Sequence, residues 1–137
     1  MKRIVAIGVL LSLLGCEPYT VTSRYGTLEE ARADRLFERG WLPDVLPTST
    51  TNIRTENDLD ANISEGEFSF EPPDAGWLSK RLSKGAPTTS RLADWEATVG
   101  SYTSRGYSTW SFRDEDSTWA FFCKAQEGHC NYLMWLR

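Results

Sequence analysis

An apolar run from Ile4 to Leu14 follows Lys2 and Arg3, and the chain turns polar from Glu17 to Arg24. A membrane span needs about 20 apolar residues, so this run is too short to cross a bilayer and has the length of a signal-peptide core. Downstream, the apolar positions fall into short, separate patterns. Thr27 with Glu30 three residues later forms a capping box, and Ala33, Leu36 and Phe37 share one arc. Together they predict a helix over Leu28–Arg39, ended by Gly40 with Trp41 packing back over it. Pro43 and Pro47 predict a stiff turn. The β-branched residues around Ile53 predict a strand at Thr51–Thr55, which is expected to pair with a second strand at Glu67–Glu71, where Phe68 and Phe70 alternate with polar neighbours. Between them, Asn57–Gly66 is polar and turn-prone. Pro72 and Pro73 end that strand. Asp74 is expected to cap a helix through Trp77, Leu78, Arg81 and Leu82 up to Gly85, and a further helix is expected over Arg91–Tyr102, with Leu92, Trp95, Glu96 and Val99 near one face.

The C-terminal third predicts a three-stranded meander: Tyr107–Arg113, a turn at Asp114–Asp116, Thr118–Lys124, a loop at Ala125–Gly128, and Cys130–Leu136. With Cys123 facing Cys130, Phe121 faces Tyr132 and Trp119 faces Met134, so one face of the hairpin is continuously apolar. Ala120, Phe122, Leu133 and Trp135 make the opposite face apolar too. It therefore needs cover from the chain's own helices, a second sheet or a partner, and Phe122, Leu133 and Trp135 are candidate partner contacts.

The first apolar run ends in Leu13, Leu14, Gly15 and Cys16, and that ending resembles the lipobox of bacterial lipoproteins. The resemblance implies cleavage before Cys16, acylation of its thiol and attachment to a lipid bilayer; two or three acyl chains make such an anchor stable, at about 0.8 kcal/mol per buried methylene. By the sorting rule of that class, Glu17 after the cysteine favours the outer membrane on its periplasmic face, with inner-membrane or cell-surface anchoring as the other options. The chain then divides into a signal peptide (1–15), a lipidated cysteine with a short tether (16–26) and a single globular domain (27–137).

Composition narrows the function classes. The chain is 40% hydrophobic with six tryptophans, which argues against disorder. Removing Lys2 and Arg3 takes the net charge from −4 to −6, and no arginine-dense segment offsets it, so nucleic acid is a disfavoured partner. With Cys16 lipidated, Cys123 and Cys130 form a pair suited to a disulfide in an oxidising compartment. A metal on them would need further soft ligands, and His129 is the single histidine. No metal or cofactor is expected.

Asp58, Asp60 and Asn62 match the opening of a calcium loop, but the glycine required next is Ile63 and the closing glutamate is Ser69, which favours a solvated turn. Asp114, Glu115 and Asp116 are consecutive, so they point apart and suit a soluble turn better than acid–base chemistry. His129 beside Cys130 would make a thiolate–base pair only with a free thiol. The chain has no nucleophile-elbow, zinc-protease, phosphate-loop or Cys-x-x-Cys motif.

Phe37–Asp44 (Phe-Glu-Arg-Gly-Trp-Leu-Pro-Asp), followed by Leu46, Pro47, Ser49, Asn52, Ile53, Asp58, Asp60, Asn62, Gly66, Phe68 and Phe70, resembles the head domain of YbbD-like proteins, a family of small bacterial domains, over roughly Thr27–Leu82. The resemblance implies no catalytic residues. The expectation is an α+β domain, with a mainly antiparallel sheet ending in the meander and packed by two or three helices. Its function is expected to be non-enzymatic binding of a protein or envelope component. An inhibitor or immunity lipoprotein against a toxin or lytic enzyme is the alternative, and an envelope hydrolase using Asp58 or Asp60 is the least favoured.

Overall fold

The computed structural model describes residues 19–137, so Cys16 and the expected signal peptide lie outside the described residues. The chain forms strand β1 (Thr20–Thr27), helix α1 (Leu28–Ala33), β2 (Thr51–Asp58), β3 (Ile63–Ser69), helix α2 (Ala75–Arg81), β4 (Ser83–Lys84), helix α3 (Trp95–Ser104), β5 (Ser108–Arg113), β6 (Ser117–Lys124) and β7 (His129–Leu136). The strands make one antiparallel seven-stranded sheet in the order β1-β2-β3-β7-β6-β5-β4. The α+β architecture and the C-terminal meander are as expected.

The meander keeps the expected register: Cys123 pairs with Cys130, Phe121 with Tyr132 and Trp119 with Met134. A disulfide joins Cys123 and Cys130, whose α-carbons are 4.1 Å apart. That spacing is slightly shorter than the usual range of about 4.4–6.8 Å and close to the roughly 4.5 Å of a non-hydrogen-bonded cross-strand pair. On this side of the sheet, Tyr25, Ile53, Phe68, Phe121, Tyr132 and Met134 form the main core with Leu28 and Ala31 of α1, Leu78 of α2, and Leu36, Leu42 and Leu46 from the intervening turns. Phe68 packs edge-on against Phe121, with ring centroids 6.2 Å apart.

Three expectations need correction. Residues 20–26, expected in the tether, belong to β1, which pairs with β2 from Thr20↔Asp58 to Thr27↔Thr51. The alternation that ends in buried Tyr25 is short and polar, and pairing with β2, not hydrophobicity, holds it. The helix expected to reach Arg39 stops at Ala33. Its cap forms as read, with the Glu30 amide donating to Thr27 Oγ1 at 3.2 Å and the Gly26 amide donating to Glu30 Oε2 at 2.7 Å. Arg35, however, takes a left-handed φ of 57°, and the amides of Leu36 and Arg35 donate back to Ala31 O and Arg32 O. This is a Schellman closure on a residue with no preference for it, offset by full burial of Leu36. Finally, β3 begins at Ile63, inside the expected turn, and ends at Ser69. Opposite it, Asn52 (φ 51°) sits where the β2–β3 register shifts between Thr51 and Arg54, a bulge that bends β2.

The later helices follow the expected pattern with displaced ends. Pro72–Asp74 is a 3-10 turn, and Asp74 makes no side-chain cap to α2. Leu78 and Leu82 are buried, whereas Trp77 turns outward, donating from its indole nitrogen to Val45 O and carrying the Arg81 guanidinium 3.4 Å from its ring centre. Helix α3 begins at Trp95, because Asp94 has φ 54°, and Glu96 is exposed.

Candidate functional site

Helix α3 covers the second face of the sheet only over the meander. Leu92, Trp95, Val99 and Tyr102 pack with Tyr107 onto Ala120, Phe122, Leu133 and Trp135. Trp95 meets Trp135 edge-on at 5.1 Å, and Tyr102 stacks on Phe122 at 4.0 Å. Phe122 is fully buried and Trp135 is 3% exposed, so neither side chain of the expected partner contact is open to a partner; Leu133 is half-buried at the margin of this layer. The apolar face read from the alternation is real, and the chain's own helix covers it.

The same face is uncovered over β1, β2 and β3, and there the sequence supplies charge. Across the strands, Arg24 stands opposite Arg54, Arg54 opposite Glu67 and Glu67 opposite Asn131. In the next row, Thr22 stands opposite Glu56, Glu56 opposite Glu65 and Glu65 opposite Leu133. Arg54 and Glu56, two apart on one strand, form an ion pair. His129 Nε2 lies 3.9 Å from Glu67 Oε2. Two rows place like charges directly opposite, Arg24 on Arg54 and Glu56 on Glu65, an arrangement that costs stability in a sheet.

The edge of α3 borders this open face. Arg105 lies 4.5 Å from the Tyr102 ring centre, and Lys124 lies 4.7 Å from that of Tyr107. Burial raises the Tyr102 phenol pKa above its ordinary value; the neighbouring Arg105 guanidinium opposes this, and Glu65 adds to the rise. The surface therefore runs from carboxylates and arginines on bare strands to cations stacked on tyrosines beside the helix.

The other candidate residues fall as follows. The Asp58 carboxylate accepts from the amides of Asp60 and Ala61 at 3.0 and 2.9 Å, and Asp60 accepts from the Tyr19 amide at 3.4 Å. These oxygens build the β2–β3 turn. Among the described residues, no group of three or more His, Cys, Asp or Glu side chains is placed to hold a metal ion. Asp114 Oδ1 likewise accepts from the amides of Asp116 and Ser117. Cys130 is bonded to Cys123, so His129 has no thiol to activate. Among the described residues, no helix is long and apolar enough to cross a membrane. The charged face was not found from the sequence because its members come from three strands, and only the register brings them together.

No curated protein and no solved structure matches this chain. Residues 20–69, a span running from the first residue of β1 to the last of β3, match the family described as the YbbD head domain, and this part of the chain is similar to that domain.

Proposed function

We propose that the chain is a lipoprotein of the bacterial envelope, anchored through acylated Cys16 on the periplasmic face of the outer membrane, and that its domain binds a protein or envelope component and does not catalyse a reaction. The observation that carries the binding reading is the uncovered, charged half of the second sheet face, formed by Arg24, Arg54, Glu56, Glu65 and Glu67. Like charges aligned at a cost to the fold are explained when a partner neutralises them. The Cys123–Cys130 disulfide supports an oxidising compartment.

The same carboxylates favour a basic partner. That makes an inhibitor or immunity protein, directed at a basic toxin or lytic enzyme, the second reading.

Two experiments test the proposal. Palmitate labelling in cells is expected for the intact chain and lost in Cys16→Ser; equal labelling of both removes the anchor. A crosslinked pull-down is expected to yield one dominant partner that Glu65→Lys releases, and a partner retained equally by Glu65→Lys removes the charged face from the account.

A further inference from the structure

A second charged feature lies at the opposite side of α3. Arg113, Thr118 and Trp135 are register partners across β5, β6 and β7 on the α3 side of the sheet. The connection from β4 to α3 folds over the end of this row. It is held at one end by the Gly85 amide donating to Thr109 O and at the other by the Trp95 indole donating to Pro87 O at 3.1 Å. Beneath the connection lie two adjoining clefts of about 270 and 230 Å³ that share Thr89, Arg113 and Thr118.

Arg91 and Arg137 line the second cleft with Arg113, and no aspartate or glutamate lines either one. Arg91 and Arg113 make no ion pair among the described residues, although the whole chain is net negative. Arg137 is held in place by donating one nitrogen to the carbonyls of Asp114 and Glu115 at 3.3 and 3.2 Å, which leaves its other donors free to bind a ligand. The hydroxyls of Ser111 and of Thr118, itself 4% exposed, add neutral donors to the walls. Three arginines drawn from separate segments of the chain thus line one cleft, a surplus of positive charge that an anion would neutralise. Arginine forks match the paired oxygens of a phosphate, and the clefts fall below the roughly 300–1,000 Å³ of drug-sized sites, a size that suits a small ionic group.

We infer that Arg91, Arg113 and Arg137, with Ser111 and Thr118, form a binding site for a phosphate group. The phosphate is either free or carried on a lipid headgroup. The site is separate from the charged face of β1–β3, so its test does not depend on that reading.

The test is a titration of the full chain with inorganic phosphate at constant ionic strength, followed by NMR through the amides of Ser111 and Thr118 and the indole of Trp135. Saturable shifts are expected with a dissociation constant on the order of 1 mM, weakened about tenfold or more in Arg113→Gln and in Arg91→Gln. Arg113 and Arg91 are exposed, so melting temperatures near that of the parent chain are expected for both variants. A parallel arm replaces phosphate with phosphatidylglycerol vesicles, with phosphatidylcholine vesicles as control. Shifts at lower total phosphate in the phosphatidylglycerol arm identify the lipid source, and shifts with inorganic phosphate alone identify a free or soluble phosphate. Silence of these signals in both arms, or equal affinity in the parent and both arginine variants, overturns the site.

Discussion

Thr55 is fully buried in β2, and its hydroxyl has no hydrogen-bond partner among the described residues. A buried unpaired hydroxyl carries its desolvation cost with no return, so Thr55→Val, which keeps the shape, is expected to stabilise the protein by about 1 kcal/mol in denaturant unfolding. Its neighbours are satisfied: Ser64 Oγ donates to Asn57 Oδ1 at 2.6 Å and lies 3.1 Å from the Tyr132 hydroxyl. Opposite Thr55, Gly66 leaves no room for a side chain, since a β-carbon there would sit 2.0 Å from Arg54 O and 2.8 Å from a Tyr132 ring carbon. Gly66→Ala is expected to cost about 3 kcal/mol, the upper end of ordinary overpacking, because the obstacle is backbone. Burial also raises the Tyr132 phenol far above its ordinary value of 10.0. Above that value the unfolded chain releases this proton while the folded chain keeps it, so stability is full below about pH 10 and falls as pH rises further. Melting temperature is expected to drop steeply between about pH 10 and 11, and less steeply in Tyr132→Phe relative to that variant's own neutral-pH value.

At the scale of elements, the meander shows how far local pattern reaches. Strict alternation and a cysteine pair specify register, and a slip of one residue would put Phe121 and Tyr132 on the wrong face. Removing the disulfide in the Cys123→Ser/Cys130→Ser double variant is expected to cost about 2.5 kcal/mol, the chain-entropy value for so short a loop. The elements that depart from the expected pattern lack such signals. Arg35 ends α1 in a conformation its side chain does not favour, and Thr20–Thr27 is a strand whose partner lies some thirty residues away. Both are decided by tertiary burial and pairing, which no local window contains. The aromatic face of β6 and β7 was legible, but not what covers it, because α3 has one modest apolar stripe of Trp95, Val99 and Tyr102. Trp135→Ala is therefore expected to act on stability, by about 3–5 kcal/mol in urea unfolding, with any loss of binding following from unfolding.

For the molecule as a whole, β1 changes how the domain would stand on a membrane. With the strand starting at Thr20, only residues 17–19 separate it from Cys16, a reach of about 10 Å. A lipidated chain would thus hold the start of β1, and with it the β2–β3 turn beside Asp58, near the bilayer. The charged face, like the arginine cleft, was invisible in the linear sequence because each draws single residues from several strands. The most direct measurement places a photo-crosslinking residue in living cells at Glu56, at Glu65 and, for comparison, at exposed Glu29 on α1. The account predicts one dominant adduct from Glu56 and Glu65 and none from Glu29; equal adducts from all three positions, or none from the sheet face, would contradict it.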